Sequence, residues 1–281
     1  MLAQTPQDQY IKVGSVKTRY WVLGDKGLIV ILLHGGGGFI ECWLDNIFAL
    51  AQYHRVYAFD MVGAGRSDKP DSQNYACDDW VRFLKSFMDV LQIERATLIG
   101  TSGGGATALK FALMFPECLD KLVLTNSGGL GKETPIGFKL ALIPGVGELL
   151  THPSPMGIGI AVKQAVYDLT TINKQFIEML YQMAALPGAQ QAILKFLRTN
   201  ANFRGWKPEF IDPIVSKLST IASPTLIIHG QQDKLVPVAH AHVAAKNIPN
   251  AQLHIFDHCG HWASIEHPEE FNQLVLEFLA T

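Results

Sequence analysis

Residues 98–112 read LIGTSGGGATALKFA, and how this stretch is understood decides how the rest of the chain is understood. An apolar run ends at Gly100, a single serine stands at Ser102, and three more glycines lead into a run of helix-forming residues. A serine hydroxyl is a weak nucleophile at its ordinary pKa, so it needs an adjacent base and an exposed position. A sharp strand-to-helix turn supplies the exposure but crowds the positions two before and two after the serine. Gly100 and Gly104 occupy those positions, giving G-x-S-x-G as Gly100-Thr101-Ser102-Gly103-Gly104 in the required strand–turn–helix context. The first turn of the following helix adds amide donors and partial positive charge beside the hydroxyl. The competing reading is a plain tight turn or a glycine-rich phosphate cradle.

Apolar runs bounded by glycine flank this turn on both sides: TRYWVLG (18–24), LIVILLHG (28–35), RVYAFDMVG (55–63), RATLIG (95–100), KLVLTNS (121–127), PTLIIHG (224–230) and AQLHIFD (251–257). Several are apolar almost throughout, as in parallel strands covered on both faces. Between them lie helical patterns. In 75–92, Trp80, Phe83, Leu84, Phe87, Met88 and Leu91 fall at helical spacing. A second helix is read over 105–116 and a third over 267–281. The alternation predicts a doubly wound α/β fold with a mostly parallel sheet. It breaks between about 128 and 216, where a Gly- and Pro-rich start gives way to helical patterns with no clear strand. We read 129–215 as a helical cap or lid inserted into a core formed by 1–128 and 216–281.

With 281 residues, 48% hydrophobic and 17% charged, the chain can bury one sizeable core plus an insertion. A net charge of -2 and the lack of a basic stripe argue against a nucleic-acid partner. No segment offers about 18 uninterrupted apolar residues, so no membrane span is expected. MLAQTPQDQY at the N-terminus has neither the positive start nor the apolar stretch of a secretory signal. Cys42, Cys77, Cys118 and Cys259 are scattered without a CxxC pair, which reads as free thiols rather than zinc ligands. The expectation is a cytoplasmic protein without metal or cofactor. The apolar cap leaves a homodimer open.

A nucleophilic serine needs an acid and then a histidine in chain order. LIIHGQQDKLVP places Asp233 just past a strand end, and HIFDHCGHWASIEHP places His261 in the loop after the last strand. Asp233 would orient the imidazole, and His261 would take the Ser102 proton and pass it to the leaving group. His258 is the rival base, but Gly260 marks the tighter loop at His261. His254 sits within a strand, and His240 and His242 fall on different helix faces. Asp60, in DMVGAGRSDKP, reads as part of a structural turn, and Asn126 and Ser127 occupy the other strand end where an acid could stand. In LLHGGGGF, Gly36 or Gly37 would offer one oxyanion amide and Gly103 the second. Neither G-x-G-x-x-G spacing nor a P-loop lysine supports a phosphate site there.

HGGGG, FDMVGAGRSDKP, GTSGGG, HGQQDKLVP and CGHW, in that order, resemble the α/β-hydrolase family. The resemblance covers the core, with the cap matched only in position and helical character. It implies an eight-stranded, mostly parallel sheet, a triad of Ser102, Asp233 and His261, and no cofactor. HGGGG and CGHWASIEHPEEF look most like the meta-cleavage product hydrolases, which split carbon–carbon bonds in dienoate diketones. Two features depart from that group. Thr101 and Gly103 flank the nucleophile where those enzymes usually carry Asn and a bulkier residue. QFIEMLYQMAALPG lacks the arginine that would hold a substrate carboxylate, and Lys174, Lys195, Arg198 and Arg204 lie elsewhere in the cap. Phe39, Trp43, Phe176, Met179, Met183 and Trp262 are candidate walls of an apolar substrate pocket. The reading is therefore hydrolysis of small, largely apolar carboxylic esters through an acyl-serine. Carbon–carbon hydrolysis is the runner-up, and a weakly catalytic hydrolase-fold ligand-binding protein is the third reading.

Overall fold

The computed structural model describes residues 5–281. The signal-peptide reading rests partly on residues 1–4, which lie outside the described residues. The chain forms, in order, β1 (Gln9–Val13), β2 (Val16–Leu23), β3 (Ile29–Leu33), α1 (Leu44–Ala51), β4 (Arg55–Phe59), α2 (Cys77–Val90), β5 (Ala96–Thr101), α3 (Gly103–Met114) and β6 (Leu119–Thr125). Six helices follow: α4 (Ile136–Ala141), α5 (Val146–Leu150), α6 (Pro155–Ala165), α7 (Lys174–Ala184), α8 (Ala189–Asn200) and, after a ribbon of β7 (Ala201–Asn202) and β8 (Gly205–Trp206), α9 (Pro208–Val215). The chain ends with β9 (Thr225–Gly230), α10 (Ala239–Asn247), β10 (Ala251–Phe256), α11 (Ala263–Glu266) and α12 (Pro268–Ala280).

Eight strands make one sheet in the order β1-β2-β4-β3-β5-β6-β9-β10. β3, β4, β5, β6, β9 and β10 run parallel, while β1 pairs antiparallel with β2 and β2 antiparallel with β4. Alternation along β3 divides the core. Ile31 and Leu33 face the layer that includes α2, α3 and α10, whereas Val30 and Leu32 face α1 and α12. Both layers are apolar, which is why β3 reads as a continuous hydrophobic run.

The order reverses at β3, which neighbours β4 on one side and β5 on the other. In open α/β sheets the crevice beyond the strand C-termini at such a switch point is where ligands bind. The glycine loop after β3 and Ser102 after β5 both lie there.

Two expectations about strands need correction. β1 adds a strand that the apolar runs do not mark: QYIKV is largely exposed and lacks the continuous apolar run of the inner strands. The stretch between β6 and β9 is mostly helical, yet it contains the β7–β8 ribbon, whose strands of two residues each are too short to leave a period.

Candidate active site

Ser102 has φ 52° and ψ -118°, a left-handed conformation that an L-residue holds only under strain. The turn exists because the residues two before and two after Ser102 have no side chains. A Cβ on Gly100 would lie 2.5 Å from the Gly104 oxygen, and one on Gly104 would collide with the Leu33 and His34 carbonyls. The turn is also held by Ser102 N donating to Thr125 O at 3.2 Å, while Ala106 N and Gly128 N donate to Ser102 O.

The glycine loop after β3 presses against this turn. A Cβ on Gly35 would lie 2.9 Å from Ser102 Cβ, and one on Gly103 would lie 3.3 Å from Gly36 N. Backbone amides from the two loops therefore converge beside the hydroxyl. Among the described residues, Gly36, Gly37 and Gly103 donate no backbone hydrogen bond, while Gly38 N is committed to Gly35 O at 3.0 Å. His34 anchors the loop: its Nδ1 lies 2.7 Å from Gly35 O, and its Nε2 accepts from Met61 N at 3.0 Å. Burial lowers its pKa to about 4, so it stays neutral and serves as a brace.

On the far side of the crevice, His261 Nδ1 lies 2.7 Å from Asp233 Oδ2. Asp233 is held from every direction. Leu235 N and Val236 N donate to Oδ1 at 2.8 and 2.9 Å, Asn126 Nδ2 donates to Oδ2 at 2.9 Å, and His229 Nε2 is 3.4 Å from Oδ2. Burial acts to raise the Asp233 pKa. The charge on His261 and the hydrogen bonds from His229 and His261 outweigh it and hold the carboxyl well below the usual carboxylate range. His258, the rival base, is exposed and pairs weakly with Asp257 at 3.4 Å. Asp60 is a structural acid, fully buried, accepting from Ile40 N and Arg66 N at 2.8 and 2.7 Å and lying 3.4 Å from the Arg19 guanidinium.

Ser102, Gly36, Gly37, Gly103, His261 and Trp262 line one cavity of about 300 Å³. Ser102 and His261 form no hydrogen bond to each other in this conformation, which is common before substrate binds. Among the described residues, no Lys, Arg, Asp or Glu side chain lines the cavity, and Phe138, Ile158, Leu180 and Phe210 supply much of its wall.

Five of the six expected wall residues lie elsewhere. Trp43 is buried in the core on the α1/α12 side, 6.4 Å from the Phe271 ring. Phe39 is fully buried with its ring tilted against that of Phe176 at 6.4 Å, and Phe176 in turn packs edge-on at 6.0 Å against Trp262. Met179 lines an outer polar groove beside Lys174 and Glu178, and Met183 lines an adjoining chamber of about 90 Å³. Only Trp262 faces the cavity, because large apolar side chains near the motifs are needed equally by the surrounding core.

Two residues that support the site were missed. Asn126 stands at a strand end where an acid could, and its amide bridges Asp233 Oδ2 and Gly260 O, the latter at 3.0 Å. Glu266 is buried, and among the described residues no cation pairs with it. Its Oε1 accepts from Gly260 N at 2.9 Å and its Oε2 from Tyr167 N at 2.7 Å. Together with His261 N donating to Ala165 O at 2.5 Å, this carboxylate staples the His261 loop to the end of α6. In Glu266→Gln the amide NH₂ would face one of those two donors. Leaving it unsatisfied should lower kcat about tenfold with little change in KM, as read from steady-state kinetics on a soluble ester.

The sequence profile described as the alpha/beta hydrolase family matches residues 30–274. The chain belongs to the alpha/beta hydrolase family. Within it, the chain is 34% identical over 280 residues to the 2-hydroxy-6-oxo-6-(2'-aminophenyl)hexa-2,4-dienoic acid hydrolase of Metapseudomonas resinovorans, covering 97% of this chain and 91% of the relative. It is 33% identical over 260 residues to the 2-hydroxymuconate semialdehyde hydrolase of Pseudomonas sp. strain CF600, covering 90% and 87%. The solved meta-cleavage product hydrolase of Pseudomonas fluorescens IP01 superimposes with a TM-score of 0.83 at 31% identity, covering 97% of each chain. The sheet and the hydrolase class accord with the reading of the sequence. The names of these relatives fit the carbon–carbon runner-up better than ester hydrolysis.

Proposed function

We propose that this alpha/beta hydrolase opens neutral, largely apolar carboxylic esters through an acyl-serine. Ser102 Oγ attacks the ester carbonyl carbon as its proton passes to His261 Nε2. The oxyanion that forms accepts from the amides of Gly103 and of Gly36 or Gly37. Asp233 holds His261 with Nδ1 protonated and steadies the imidazolium. Collapse expels the alcohol, which takes the proton from His261. Water then attacks the acyl-Ser102 by the same route, releasing the carboxylic acid and restoring the hydroxyl. Residues 129–215 act as the cap over this chemistry.

The observation that carries the choice of ester is the uncharged wall of the cavity. A dienoate substrate would bring a carboxylate into an apolar chamber without a cationic partner, and an unpaired buried charge is costly. The second reading, carbon–carbon hydrolysis of a dienoate diketone, is favoured by the relatives and uses the same three side chains.

A substrate panel separates the two. The expected result is that p-nitrophenyl butyrate is turned over with a kcat/KM at least about 100-fold above that of a dienoate diketone, roughly 2.7 kcal/mol of discrimination. The opposite preference would establish the second reading. Equal slow rates for wild type and Ser102→Ala on every substrate would point to a ligand-binding protein.

A further inference from the structure

The roof of the cavity is apolar on both of its sides. From α4 and α6, Phe138, Ile158 and Val162 reach the cavity. On the same stretch of chain, Ile136, Leu149, Met156 and Ile160 are 72%, 77%, 79% and 57% exposed. A helix that is hydrophobic all round belongs in apolar surroundings, and a concentration of exposed large apolar side chains marks an interaction surface.

Charge narrows what that surface meets. From Ile136 to Gln164 the only charged residues are Lys139, Glu148 and Lys163. Glu148 is taken up by Arg198 at 2.8 Å, while neither lysine pairs with a carboxylate among the described residues. Two copies meeting through this face would bring like charges together with no free acid to answer them. An apolar face carrying unpaired ammonium groups instead suits an anionic lipid surface, where the side chains enter the acyl boundary and the lysines reach the headgroups.

We propose that residues 136–163 dock the protein on an anionic lipid surface, so that apolar substrate passes from the bilayer into the cavity beneath. The docking stands on the exposed face alone, whereas the delivery of substrate rests on the esterase reading above.

The test is co-sedimentation of the full chain with phosphatidylcholine vesicles, with and without phosphatidylserine, comparing wild type with the double variant Leu149→Glu/Met156→Glu. Neither side chain lines the cavity. Wild type is expected to sediment, more strongly with phosphatidylserine. The double variant should partition about tenfold or more weakly while hydrolysing soluble p-nitrophenyl acetate at the wild-type rate. Wild type remaining in the supernatant with both vesicles would overturn the proposal. So would equal partitioning of the two proteins, or a wild-type dimer that the double variant splits, which would assign the face to a second copy. Vesicle binding without ester turnover would keep the docking and overturn the esterase reading alone.

Discussion

Ser102→Ala is expected to lower kcat by about 10⁴-fold or more, with the residual rate coming from binding and the oxyanion amides. A fluorophosphonate should label wild type on the peptide carrying Ser102 and leave the variant unlabelled. Because nucleophile and base act as a unit, Ser102→Ala/His261→Ala should be scarcely slower than either single variant. Additive losses would mean that Ser102 and His261 serve separate functions. The strained backbone adds a second readout. At φ 52° and ψ -118° an alanine keeps the strain that a glycine releases. Ser102→Gly should therefore be about 1 kcal/mol more stable than Ser102→Ala, a Tm about 2 °C higher, although both are inactive. Equal melting temperatures by calorimetry would show that the turn stores no strain.

That turn was legible because its constraint is steric and local. A Cβ at Gly100 or Gly104 meets backbone that cannot move, so the glycine spacing records the geometry in the sequence itself. Asp233 and His261 were legible for a related reason: in a parallel sheet, groups just past strand ends converge on one edge, and the apolar runs of β9 and β10 show where those ends are. The walls of the cavity were not. Whether Phe39 or Trp43 faces substrate or core depends on which side of the sheet its short helical turn packs, and no local pattern encodes that. Glu266 shows the same limit. Its spacing from His261 is plain in GHWASIEHP, but its role lies in the backbone amides it accepts from, of which those of Tyr167 and Asp168 are about a hundred residues away in sequence. The edge strand β1 escaped because it is fixed by pairing with β2, through Gln9 to Val13 against Tyr20 to Val16, rather than by burial.

Asp233→Asn is the sharper test of how the imidazole is controlled. The asparagine oxygen could still accept from Leu235 N and Val236 N, but its NH₂ would face His261 Nδ1 and the Asn126 amide, both donors at present. His261 would relieve the conflict by moving its proton to Nε2, where it can no longer accept from Ser102. A loss of about 10⁴-fold in kcat is expected with KM nearly unchanged, since the cavity wall is untouched. Stability should report the same carboxylate through pH. Its pKa is depressed in the folded protein, so the stabilisation it contributes is fully present above its unfolded value, about 3.9, and is lost as pH falls through the lower folded value. The gap in unfolding free energy between wild type and Asp233→Asn should be larger at about pH 5 than at about pH 3, narrowing below about pH 4. Denaturant titrations of both proteins across that range measure it, and a gap that stays constant into the acid limb would mean that Asp233 is not the ionised partner of His261.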